Sequence, residues 1–386
     1  MFLLAFRSAE ASVRWSVELP QKNQKNLLTG VRDSLIFPRM KLLCSSLAIL
    51  LAAGFSANAQ IATTDPVGFV SYTAKANSDQ KLGTPLQQAS VFQGTASSVS
   101  GTTVSATGLS ALSGQNFLAV TSGSANGKWE QIASSASGSV TLSAAISGFA
   151  NGDSFTIKPF WTLGTLLPSG GGVPASPDVY DPVATLFLNN AAATGVNIAP
   201  SFPYIYHDGS ERTAGWYDAN DPDSGLADSV IVNPEVALMV RNGSAVNATI
   251  TYVGSVPTSK FALDVVRRAT GPQDNLLYNK WPSDVTLGTS DLAASGAVSS
   301  SPDVYDPADV VYLLPLGSTG YNKAPSQAYL YHDGSERTAG WYDVSDPDSG
   351  SKDAVVIAAG SSLMIRKQGG ANSTVSWNPD KPYSLE

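Results

Sequence analysis

Apolar residues in this chain come in short runs of strand length. Phe117 to Val120, Val140 to Leu142 and Ser154 to Ile157 are such runs, each rich in β-branched or aromatic residues. Turn signals separate them, among them Asn126-Gly127 and Asn151-Gly152-Asp153. No long window carries a sustained 3.6-residue apolar period with caps, so long helices are not expected. The pattern predicts an all-β protein.

The same pattern then repeats. Tyr206 to Asp218 reads YHDGSERTAGWYD, and Tyr331 to Asp343 reads the same thirteen residues. SPDVYDP starts at Ser176 and Ser301, DPDSG at Asp221 and Asp346, and LMxR at Leu238 and Leu363, all at an offset of 125. A fixed offset over this length marks two copies of one structural unit. The expected architecture is a small N-terminal barrel or sandwich over 60–157, then two tandem homologous β-sandwich-like repeats over 158–279 and 280–386. A weaker echo, LGT at Leu82, Leu163 and Leu287, supports the boundaries near 158 and 280. Units of this size have enough chain to bury a core each.

Residues 40–59 read as a signal peptide. Met40-Lys41 opens a basic start, Leu47 to Phe55 is a short apolar core, and Ala57-Asn58-Ala59 is a small-x-small cleavage site. Residues 1–39 read as a non-native upstream extension. The apolar core is too short to span a bilayer, which takes about 20 apolar residues, and the mature chain carries no transmembrane segment. The destination is therefore export, to the periplasm, the outer surface or the extracellular space.

Export changes the charge and the cysteine count. Cys44, the single cysteine, leaves with the signal peptide, so no disulfide is expected. The whole chain has a net charge of −8; removing the 7 Lys+Arg and 3 Asp+Glu of residues 1–59 leaves −12. Such an acidic surface repels nucleic-acid phosphates and favours cations. Nucleic acid is not an expected partner.

Three constellations could carry chemistry. Asp218, Asp221, Asp223 and Asp228, repeated as Asp343, Asp346, Asp348 and Asp353, place carboxylates around a glycine bend. They could wrap Ca2+, which takes 6–8 oxygens in irregular geometry; the competing reading is a solvated Asp-Pro-Asp-Ser-Gly turn. His207, Asp208, Ser210 and Glu211 crowd one loop, unlike catalytic triads assembled from distant positions. No catalytic residue is assigned. Tyr206, His207, Arg212 and Trp216, matched by Tyr331, His332, Arg337 and Trp341, would form a sugar-stacking surface if exposed, and core plus turn if buried. Alternation along a strand should put one member of each Trp-Tyr pair inside.

Two stretches resemble a family. TTDPVGFVSYT at Thr63 to Thr73 and GDSFTIKPFWTLGT at Gly152 to Thr165 are similar to the opening and junction of an uncharacterised secreted β-rich family of Verrucomicrobia-type bacteria. The resemblance implies an exported β-rich protein without an assigned reaction, and it transfers no site residue. Two functions are consistent with these readings. One is a non-enzymatic β-repeat protein with a structural, adhesive or binding role at the envelope or outside the cell, self-association included. The other is a carbohydrate-binding or carbohydrate-processing protein that engages polysaccharide or other envelope components through the duplicated Trp/Tyr hairpins.

Overall fold

A computed structural model describes residues 65–325 and 327–384. The expected signal peptide, 40–59, and upstream extension, 1–39, lie outside the described residues. The described chain is all-β, as its pattern of short apolar runs predicts.

Two strands open it: β1 (Val67–Ala74) and β2 (Ser78–Leu82). Then come β3 (Phe92–Thr95), β4 (Ser98–Ser100), β5 (Thr103–Ser105), β6 (Asn116–Val120), β7 (Trp129–Ala136), β8 (Ser139–Leu142) and β9 (Ser154–Pro159). These seven form one curled half-barrel sheet in the order β3-β9-β6-β7-β8-β5-β4. A single helical turn, α1 (Leu163–Leu166), follows, capped by Thr162. Next are β10 (Ala184–Leu188), β11 (Phe202–His207), β12 (Gly215–Asp218), β13 (Leu238–Asn242) and β14 (Ala248–Ser255). The last part holds β15 (Leu263–Arg267), β16 (Gln273–Tyr278), β17 (Val285–Thr286), β18 (Asp309–Leu314), β19 (Gln327–His332), β20 (Gly340–Asp343), β21 (Val356–Ile357), β22 (Ser362–Lys367) and β23 (Ser373–Trp377).

Pairing shows two equivalent modules. The first has the five-stranded sheet β2-β13-β10-β11-β12 and the ribbon β1-β14; the second has β16-β22-β18-β19-β20 and β15-β23. Every pair is antiparallel. The division at residue 158 therefore needs correction. β1 and β2, assigned by sequence to the N-terminal unit, pair along their whole length with β14 and β13. The half-barrel, residues 92–159, is an insert between β2 and α1 of the first module. The LGT at Leu82 ends strand β2, whereas those at Leu163 and Leu287 each follow a threonine that caps a turn. Only the latter two are structurally equivalent.

Each module closes on its own core. Trp216, Leu163, Leu186, Val240, Ile250 and Tyr252 are buried in the first. Trp341, Trp377, Trp281, Val311 and Ile365 fill the second. The insert has a third core around Leu118, Val120, Phe155 and Ile157. Its β6 is buried at all five positions, as an uninterrupted apolar strand should be. Leu118 and Val120 face the insert's core, while Phe117 and Ala119 join the core of the second module. Phe117 meets Phe261 edge-on at 5.8 Å, and Trp129 stacks on Phe261 at 5.5 Å.

Candidate functional site

The repeated motif folds as predicted into a hairpin, with HDGSERTAG joining β11 to β12 and its copy joining β19 to β20. Its chemistry is spent internally. His207 is fully buried. Its Nδ1 accepts from the Gly209 amide at 3.0 Å, which leaves Nε2–H to donate to Pro177 O at 3.0 Å. Gly209, at φ 99°, takes a left-handed conformation that side chains rarely adopt. His332 repeats the arrangement with Gly334 and Pro302 at 3.0 and 3.1 Å. Ser210 Oγ also donates to Pro177 O, at 3.0 Å. The histidine is a clip between the hairpin and the SPDVYDP segment.

That segment explains why strand alternation misjudges the Trp-Tyr pair. Trp216 turns into the main core, 1% exposed, and its indole N–H donates to Leu167 O at 3.3 Å. Tyr217 turns to the opposite face, where Val179 of the SPDVYDP segment covers it in a small core with Ile205. Its hydroxyl donates to Thr213 O at 2.8 Å. Both members are inside because both faces of the hairpin are covered. Trp341 and Tyr342 repeat this, with Val304 and Leu330 beside Tyr342. Tyr206 and Tyr331 are half-buried, each edge-on to its tryptophan at 5.5 and 5.4 Å.

The aspartates do not converge. Asp228 Oδ1 accepts from the Trp216 amide at 3.0 Å, and Asp353 Oδ1 from the Trp341 amide at 2.9 Å. Asp218 and Asp343 each accept from an amide two residues on, at 2.8 Å. Asp221 and Asp346 precede short 3-10 turns and accept through their backbone carbonyls from Ser224 and Ser349. Asp223 accepts from Tyr180 Oη at 2.9 Å and Arg212 Nη1 at 3.3 Å; Asp348 does the same with Tyr305 and Arg337 at 3.0 and 3.3 Å. Among the described residues no three acidic or histidine side chains are grouped to hold a metal ion.

What stays outside is a feature not anticipated from sequence. Tyr180 and Tyr305 are 63% and 66% exposed, and Tyr180 lies 5.8 Å from the Arg212 guanidinium. Each module thus presents a tyrosine, an arginine and a carboxylate to solvent. The ion pairs are exposed, and such pairs are worth little. Here they orient the ring.

A second unanticipated arrangement joins the modules. Asp79 on β2 takes a bidentate bond from Arg241 (2.7 and 2.8 Å), and Asp274 on β16 takes one from Arg366 at the same distances. Loops then cross. Asn322 of the second module donates its amide to Asp79, while Asn197 of the first donates to Asp274, at 2.8 and 2.7 Å. Burial pushes the Asp79 carboxyl up, but Arg241 and Asn322 outweigh it and hold it below the ordinary value. Between the crossed loops lies a cleft of about 660 Å³, lined by Lys81, Met239, Met364, Ile198, Pro200 and Pro325.

A cavity of about 100 Å³ shares Lys81 and Met364 with this cleft and is lined by Glu235. Burial first, then the charges of Asp264 and Glu130, push its carboxyl up from 4.5 to about 7. A carboxyl raised in the folded state contributes stability that is complete below its unfolded value and lost as pH rises through the folded value. Stability should therefore fall from near pH 4.5 to just above pH 7, and Glu235→Gln should flatten that fall. Urea midpoints measured across this range decide it. An unchanged slope in the variant rules Glu235 out as the source.

Comparison with known protein families, curated proteins and solved structures finds no match for this chain.

Proposed function

We propose that this chain is an exported, non-enzymatic β-repeat protein with a structural, adhesive or binding role at the cell envelope or outside the cell. One observation carries the reading. Both histidines are fully buried, with both ring nitrogens bonded inside the fold. A histidine acting as general base needs a ring nitrogen within reach of substrate, and here neither copy offers one. Export rests on the signal-like 40–59 segment and on the resemblance carried by the DPVGF opening. Among the described residues no helix is long and apolar enough to cross a membrane. The test is turnover of glycan and ester substrates by the purified chain. Activity lost in His207→Gln/His332→Gln with the fold intact would contradict the proposal.

The second reading, polysaccharide binding, moves to a different surface. Trp216 and Trp341 are core, but the exposed Tyr180 and Tyr305 rings stand beside an arginine and a carboxylate, the groups that stack on sugar rings and bond hydroxyls. On this reading, Tyr180→Ala/Tyr305→Ala lowers retention on insoluble polysaccharide while leaving the thermal melt in place. Equal retention of parent and variant removes the reading.

A further inference from the structure

β1 is an edge strand with one side open. Ser255 on β14 exchanges both backbone bonds with Gln87, on the side away from β1. Ser255 lies opposite Val67, so Val67 directs its own N–H and C=O away from β14. By alternation Phe69, Ser71 and Thr73 do the same. None of these four backbones has a partner on that side among the described residues. All four residues are exposed, Val67 at 73% and Phe69 at 74%, and Phe69 sits opposite Val253, which is 59% exposed. β1 contains no charged residue and no proline, the usual devices that keep an edge from pairing.

The second module shows the same edge closed. Aligning β14 with β23 through the 125-residue offset makes Phe69 equivalent to Ala262, Ser71 to Asp264 and Thr73 to Val266. The Ala262 amide donates to Gly127 O of the insert at 2.8 Å, and Ala262 is only 4% exposed. The Asn275 side-chain amide takes both the N–H and the C=O of Val266, at 2.8 and 3.0 Å. Asp264 adds a charge between them. One fold, used twice, covers this edge once.

We propose that β1 pairs antiparallel with β1 of a second molecule of this chain, making a four-stranded sheet across a two-fold axis. A two-fold contact requires a self-complementary surface, and β1 provides one. With Phe69 opposite the partner's Ser71 and Val67 opposite the partner's Thr73, every outward group meets its complement. That register forms about eight backbone hydrogen bonds. It also brings the two Val67-Phe69-Val253 patches onto one face of the joined sheet. The chain carries a net charge of −8, yet none of it lies on this strand, so two edges meet without like charges facing each other. The proposal rests on the edge alone and holds whether or not the protein binds polysaccharide.

Light scattering of the full chain across a concentration series tests it. A dimer mass is expected, with a dissociation constant that rises about tenfold or more in Phe69→Lys, because an edge lysine opposes strand pairing. Val356→Lys, at a strand position of the second module that is 52% exposed, should leave it unchanged. Phe69 points into solvent, so the thermal melt of Phe69→Lys dilute enough to be monomeric should match that of the parent monomer. Hydrogen exchange at the Phe69 and Ser71 amides should slow as concentration rises. A monomer at every concentration, a dimer that Phe69→Lys does not weaken, or open-ended growth overturns the proposal. So does protection of those amides that is independent of concentration, which would mean a cover from the same molecule.

Discussion

Asp309→Ala should lower stability by about 3–5 kcal/mol, the range for removing one partner of a buried ion pair. Asp309 is fully buried where β18 meets β22. Both its oxygens accept from Arg267, at 3.0 and 3.1 Å, and Lys367 Nζ lies 2.5 Å from Oδ2. The Ser299 and Gln368 amides complete its shell. Burial pushes the Lys367 amine down, and Asp309 opposes that shift. Without Asp309 the lysine keeps only the Ala297 carbonyl and the Ser299 hydroxyl. The first module gives the control. Ala184, Asn242 and Ala74 occupy the equivalent positions, and Asn242 bonds the carbonyls of Ala74 and Val246 without any charge. Arg267→Ala/Asp309→Ala/Lys367→Asn should therefore recover most of the loss. Urea denaturation decides it: a loss under about 1 kcal/mol for Asp309→Ala, or a triple variant weaker than the single one, contradicts the account.

Trp216→Ala should cost about as much, roughly 3–5 kcal/mol, because a large buried side chain leaves a cavity that the core closes only in part. The indole is 1% exposed among Leu163, Leu167 and Val240, and it holds the Leu167 carbonyl. Trp341 occupies the same place in the second module, so Trp341→Ala should behave alike. Tyr180→Ala is the contrast, expected within about 0.5 kcal/mol of the parent because the ring lies at the surface. The two substitutions separate support of the fold from contact with a ligand. If Trp216→Ala proves as stable as Tyr180→Ala, the tryptophan is not the core residue its burial indicates.

The fold class was legible because Phe117-Leu118-Ala119-Val120 and similar runs have strand length and turn-forming borders. The hairpins were legible because Asp208-Gly209 is a turn-forming pair set between strand-forming residues, and Gly209 does take a left-handed φ of 99°. The insert was not. A search at one offset finds repeats only where the spacing is unbroken, and the insert pushes β1 and β2 out of step with β15 and β16, with which they share only Asp79 and Leu82, matching Asp274 and Leu277. The crossed loops did leave a signal: TGxNxAP occurs at Thr194 to Pro200 and again at Thr319 to Pro325, at the same 125 offset. In both copies glycine and asparagine take left-handed conformations, Gly195 and Asn197 at 97° and 53°, Gly320 and Asn322 at 91° and 50°. Spacing left both readings of the aspartates open because turn formation and metal binding use the same residue types. Only the direction of each carboxylate tells them apart, and spacing does not encode it.

The duplicated motif is closed by its own side chains, and its aspartates cap and pair within it. A thermal melt of the purified chain with millimolar calcium and with chelator tests it most directly. Coincident melts are expected. Saturating calcium at a built site would add about 2.7 kcal/mol, raising the melt by about 5 °C or more. A rise of that size, abolished by Asp223→Asn/Asp348→Asn, would contradict the account and return the acidic turns to the metal reading.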